Sequence, residues 1–103
     1  MDDFTTRPMV LEEFAPLVGE LFTADCEPAN IEIRLVEASP LRDHSMAPRP
    51  PFILIFYTPP DYMLGDGNYI LRCGNWGPDR ISILSTTRPP DGEAGYYYQA
   101  VFN

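Results

Sequence analysis

The stretch FILIFY, residues 52–57, is apolar at every position and is closed by proline on both sides, PP before it and TPP after it. A short apolar run bounded by turn formers is expected to be a strand buried on both faces, so residues 52–57 are placed between layers at the centre of the fold. The same run is far too short to span a bilayer.

The flanking segments alternate with period two. In NIEIRLVEA, Ile31, Ile33 and Leu35 fall on one face and Glu32, Arg34 and Val36 on the other, and ELFTADC pairs with it through the turn EPAN as a first hairpin. Downstream, Tyr69 and Leu71 alternate with Ile70 and Arg72, and after the GNWGPD turn Ile81 and Ile83 alternate with Arg80 and Ser82. GDGN, residues 65–68, reads as a hairpin turn, since Gly65 and Gly67 permit positive φ and Asp66 and Asn68 tolerate it. In the closing GYYYQAVFN, Tyr96, Tyr98, Ala100 and Phe102 share one face and Tyr97, Gln99 and Val101 the other. Its tyrosines offer apolar area together with hydroxyls that can reach the rim.

One helix is expected. Leu11, Phe14, Val18 and Leu21 fall on a single helical face, Glu12 and Glu13 suit the first turn, Pro16 shortens or bends the helix and Gly19 stops it within about three turns. Residues 39–51, with four prolines and no apolar period, read as a long exposed loop. The sum is a mainly β protein: one antiparallel barrel or sandwich of six strands in a meander, with the N-terminal helix capping an open end. Residues 1–9 form a flexible arm and 10–103 the single domain, since 103 residues supply one core.

Composition bounds the partners. A net charge of -8 with no basic cluster repels nucleic acid and anionic lipid. All seven basic residues are arginine, suited to bidentate carboxylate pairing. MDDFTTRPMV has neither a basic start nor an apolar run, so synthesis in the cytosol without a cleaved signal is expected, with the final location open and an extracellular assembly among the options. Cys26 and Cys73 lack metal-site spacing and read as free buried thiols, with a disulfide or redox pair as the alternative.

No motif carries chemistry. His44, the only histidine, stands in DHS within the proline-rich loop, and adjacent residues cannot build a triad, so it reads as a solvated loop residue. Asp61, Asp66, Asn68 and Asp79 lack the spacing of a calcium loop. Glu12 with Glu13, and Asp2 with Asp3, diverge in direction. No phosphate loop occurs, and there is no lysine for one. No cofactor and no metal is expected. Trp76, at a turn, is either an interface anchor or a lid folded back on the core edge.

LEEFAPLVGELF near the start, PFILIFYTPPD in the middle and YYYQAVFN at the end together resemble the DUF6916 family of short bacterial proteins, with its LEDFAPLVG-like opening, PFSLLF-like strand and YEAVFN-like finish. The resemblance spans about the whole chain and rests on core and turn residues, so it implies a fold and no catalytic residue. The family's frequent neighbourhood with tail-collar or fibre-like proteins implies a structural or accessory part in a tail-like or extracellular filament-like assembly. The residues 39–51 loop and the two cysteines depart from that pattern.

A non-catalytic, protein-interaction role is therefore expected, through self-association or a protein partner. Trp76, Tyr96, Tyr97, Tyr98, Phe102, His44 and Arg49 are the interface candidates, along with the arm and the residues 39–51 loop. The motive is the final strand, whose edge carries few charges to deter pairing with a neighbour. The alternative is a small barrel that takes an apolar molecule or a sugar in a mouth lined by Tyr96 or Tyr98. An enzyme would need His44 near a carboxylate and a hydroxyl.

Overall fold

The computed structural model describes residues 8–27, 29–41 and 50–102. The described residues form two consecutive 3₁₀ turns, Leu11–Glu13 and Ala15–Leu17, followed by strands β1 (Leu21–Ala24), β2 (Ile31–Pro40), β3 (Phe52–Thr58), β4 (Gly67–Cys73), β5 (Trp76–Thr86) and β6 (Tyr96–Phe102). All pairings are antiparallel and the sheet closes in the order β1-β2-β3-β6-β5-β4.

Closure divides the chain into two three-stranded meanders, β1-β2-β3 and β4-β5-β6, joined by β3 to β6 and β1 to β4. The expected single meander is thus replaced by two. Strands β3 and β4 are not neighbours, so residues 59–66 cross the end of the barrel, and GDGN is not a hairpin turn. Gly65 and Gly67 do not take positive φ; the hairpin turn is Gly74–Asn75, with Gly74 at φ 58 between the paired Cys73 and Trp76. Beyond it Gly77, at φ 84, sits in a bulge where an added Cβ would lie 2.6 Å from the carbonyl oxygen of Leu71.

The expected short N-terminal helix is present, wound as 3₁₀ turns that end at Leu17. Pro16 has no N–H for an i→i−4 bond, and the segment closes i→i+3 bonds instead: Phe14 N–H to Leu11 O at 2.9 Å and Leu17 N–H to Phe14 O at 2.8 Å. Val18 is already extended, and Gly19, at φ 96, donates to Leu35 O of β2 at 2.7 Å. The chain therefore enters β1 with Phe22 buried and Leu21 exposed, the reverse of the helical phase for Leu21.

The interior is filled by the inward positions of every strand: Phe22, Ile33, Leu35, Leu54, Phe56, Leu71, Ile81, Ile83, Tyr98 and Ala100 are all buried. Because the barrel has an inside and an outside, the two faces of β3 differ: the inward Phe52, Leu54, Phe56 and Thr58 are buried, whereas on the outward face Ile53 and Ile55 are half-buried and Tyr57 is buried. One end is stopped by Phe14, whose ring packs on Phe52, Trp76 and Phe102 at 5.1 to 6.0 Å. Met9 joins the same core, and the rest of the expected arm, residues 1–7, lies outside the described residues. The other end is stopped by Leu64 of the crossing loop. Ser39 and Pro40 belong to β2, paired with Ile53 and Phe52, which shortens the proline-rich loop; residues 42–49, including His44 and Arg49, lie outside the described residues.

Candidate interaction surface

Residues 87–95 run from β5 to β6 and fold back over the outside of the barrel. Three groups hold them there. The Tyr57 hydroxyl donates to Ala94 O at 2.7 Å, the Tyr97 hydroxyl donates to Glu93 O at 3.2 Å, and the Glu93 carboxylate pairs with Arg34, whose guanidinium carbon lies 4.8 Å from the centroid of the Tyr57 ring. Gly95, at φ 147, lets the backbone pass close to Thr58 O and the Tyr57 ring: an added Cβ would lie 2.6 Å from the ring and would not fit. Desolvation, with Glu93 and Tyr97 adding to it, pushes the Tyr57 phenol above its ordinary value.

Between this strap and β2-β3 lies an open pocket of about 380 Å³, lined by Val36, Ile55, Tyr97, Thr86, Pro89, Glu37 and Asp91 among others. The apolar groups and Tyr97 make its less exposed part, and Glu37 and Asp91 are exposed at its rim. Val36 is presented here because β2 shifts register between Leu35 and Glu37. Beside the pocket an apolar stripe crosses three strands: Leu84 of β5 pairs with Gln99 of β6, Val101 of β6 pairs with Ile53 of β3, and Gln99 pairs with Ile55. Leu84 is 49% and Val101 43% exposed.

The residues singled out in the sequence separate sharply. Tyr98 is 1% exposed and its hydroxyl is enclosed, 2.8 Å from Thr58 Oγ1 and accepting from Leu64 N–H at 3.0 Å, so it offers nothing to a partner. Tyr97 is 5% exposed under the strap. Phe102 stacks on Phe52 at 4.5 Å and is half-buried. Trp76 folds over the core edge against Phe14 and Phe22, and its indole N–H donates to Glu13 Oε1 at 3.1 Å. Tyr96 keeps 40% of its surface. The strand-edge motive meets a closed barrel: β6 pairs with β3 from Tyr96 to Phe102 and with β5 at Tyr97, Tyr98 and Gln99.

Leu84 was the legible signal that went unread, since in RISILS it puts an apolar side chain on the polar phase set by Arg80 and Ser82. Both cysteines are free, and burial pushes both thiols above their ordinary value, with Asp25 adding to the rise at Cys26 and Glu20 at Cys73. Asp25 accepts from Arg72 at 2.6 and 3.2 Å, which holds its carboxyl below the usual range. Asp66 accepts from the Ser85 backbone and hydroxyl at 2.8 and 2.7 Å, fastening the crossing loop to β5. Among the described residues, no helix is long and apolar enough to cross a membrane.

A small closed antiparallel β-barrel with its interior occupied by side chains is the class that this geometry defines. The chain belongs to the family described as "Domain of unknown function (DUF6916)", whose model matches residues 9–102. The match begins at Met9, the first buried residue among those described, in agreement with the motifs quoted above. Comparison with curated proteins and with solved structures finds no match.

Proposed function

We propose that this domain is a non-catalytic protein-interaction module, a subunit or accessory of a multi-subunit assembly, and that it works through the outer wall of the barrel. The observation that carries this reading is the stripe of Leu84, Val101, Ile53 and Ile55, apolar side chains that the fold leaves facing outward while the inward positions fill the core. Apolar side chains gathered at neighbouring outward positions, here around Gln99, are a mark of contact surfaces. The filled interior, in which Tyr98 is buried and hydrogen-bonded, gives the small-molecule alternative little room inside the barrel.

The test is a pull-down with tagged full chain, coupled to sedimentation velocity at micromolar concentration. A complex or oligomer is expected, and Leu84→Asp with Val101→Asp should abolish it while leaving the far-UV spectrum unchanged. A strictly monomeric chain with no partner, or a complex indifferent to both substitutions, would refute the proposal.

A further inference from the structure

The pocket beside the stripe repeats the ingredients of a site that the molecule has already built next to it. There, the guanidinium of Arg34 lies over the Tyr57 ring and pairs with the carboxylate of Glu93. The Tyr57 and Tyr97 rings are 5.2 Å apart and tilted by 57°, and Tyr97 in turn lines the pocket. On the Tyr97 side the pocket holds Val36 and Ile55 for an aliphatic stem and the two carboxylates of Glu37 and Asp91 for a charge. Ser39 donates to Glu37 at 2.7 Å, and among the described residues neither carboxylate is ion-paired.

Resting on the interaction-module reading, we infer that this pocket receives an arginine side chain from a basic segment of a protein partner. The stem would lie on Val36 and Ile55, and the guanidinium would stand between Glu37 and Asp91 near Tyr97. Three features favour this occupant. Carboxylates with no ion-pair partner among the described residues, beside an apolar floor, match a side chain that is apolar along its length and cationic at its end. A planar, weakly hydrated guanidinium suits carboxylates beside an aromatic ring better than an ammonium does. The net charge of -8 draws a basic partner toward the chain and opposes a second copy of itself.

The experiment uses labelled full chain and the peptide acetyl-Gly-Arg-Gly-amide, followed by NMR shifts of the Val36 and Ile55 methyls and backbone amides. Saturable shifts at these residues are expected, weakening as salt is raised. In the Glu37→Gln, Asp91→Asn double variant the affinity should fall about five- to tenfold, the scale of losing two exposed charge contacts. The lysine peptide should bind more weakly, and the triglycine peptide should leave the pocket unmoved.

Shifts confined to the other acidic surface around Asp25 and Glu27, an unchanged affinity in the double variant, or equal binding of the lysine peptide would each overturn the inference. Shifts at Val36 and Ile55 that grow with protein concentration in the absence of peptide would assign the pocket to a second copy and overturn it as well. A partner captured through Leu84 and Val101 while the peptide leaves the pocket silent would sink this inference alone and leave the interaction module standing.

Discussion

The two ends of the barrel are closed by different physics. At the end where β3 begins and β6 finishes, aromatic area does the closing: Phe14 is fully buried against Phe52, Trp76 and Phe102, and the Trp76 indole N–H is tied to Glu13. At the opposite end a hydroxyl network does it. Thr58 Oγ1 donates to Tyr62 O at 2.8 Å and meets the Tyr98 hydroxyl, which in turn receives the N–H of Leu64. An apolar plug tolerates repacking because dispersion is not directional, whereas a buried polar chain fails as a unit when one member is lost. The contrast also explains the tyrosines of GYYYQAVFN: Tyr98 seals from within and Tyr97 fastens the strap from without, so the aromatic ending serves the monomer before any partner.

The largest expected effect comes from the aromatic end. Phe14→Ala should destabilise the chain by about 3–5 kcal/mol, read as a lower denaturation midpoint at constant slope, because the plug and its ring contacts vanish together. Phe14→Leu should recover much of the loss; if it does not, the plug depends on ring geometry and the contrast between the ends weakens.

At the polar end Tyr98→Phe should cost about 1–3 kcal/mol, since the buried Leu64 N–H loses its acceptor while the ring stays. Thr58→Val should cost a similar amount, and the double variant less than the sum, because the two hydroxyls share one network. Strict additivity in this cycle would show that the two bonds act independently and would break the comparison.

The smallest effect is a pH dependence. The hydrogen bonds from Ser85 hold the Asp66 carboxyl below its usual range. A group with a lowered folded-state pKa stabilises the fold above its unfolded value and loses that contribution as pH falls through the folded one, so the effect should emerge below about pH 4. Asp66→Asn should flatten the acid limb of stability, measured by urea unfolding across that range. An unaltered limb would assign the acid sensitivity to the Asp25–Arg72 pair instead.

Much of this architecture was legible in the residues. The alternation of NIEIRLVEA and RISIL grouped Ile33 with Leu35 and Ile81 with Ile83 on one face, and those faces are the inward ones; in YYYQAVF it grouped Tyr98 with Ala100, and only the structure shows that this face is the buried one. Three features were not. The Leu11, Phe14, Val18 and Leu21 spacing fits a helix, yet Pro16 leaves only i→i+3 bonds, and Gly19 and Glu20 bond to β2 instead. GDGN has the composition of a hairpin turn, but composition does not say which strands are neighbours, and here the chain must cross to the far meander. Tyr97 has the outward parity of an exposed residue and is buried because residues 87–95 lie over it. The candidate pocket was invisible for the same reason, since Val36, Ile55 and Asp91 come from three separate segments.

Local sequence settled what local physics can settle: where strands run, which parity faces the core, and where proline and glycine interrupt them. Only the closed tertiary structure decided which strand edges meet, which tyrosine is sealed and which apolar side chains are left outside. Those outcomes depend on contacts between residues far apart in the chain, whose loop-closure entropy is repaid only when the whole barrel forms.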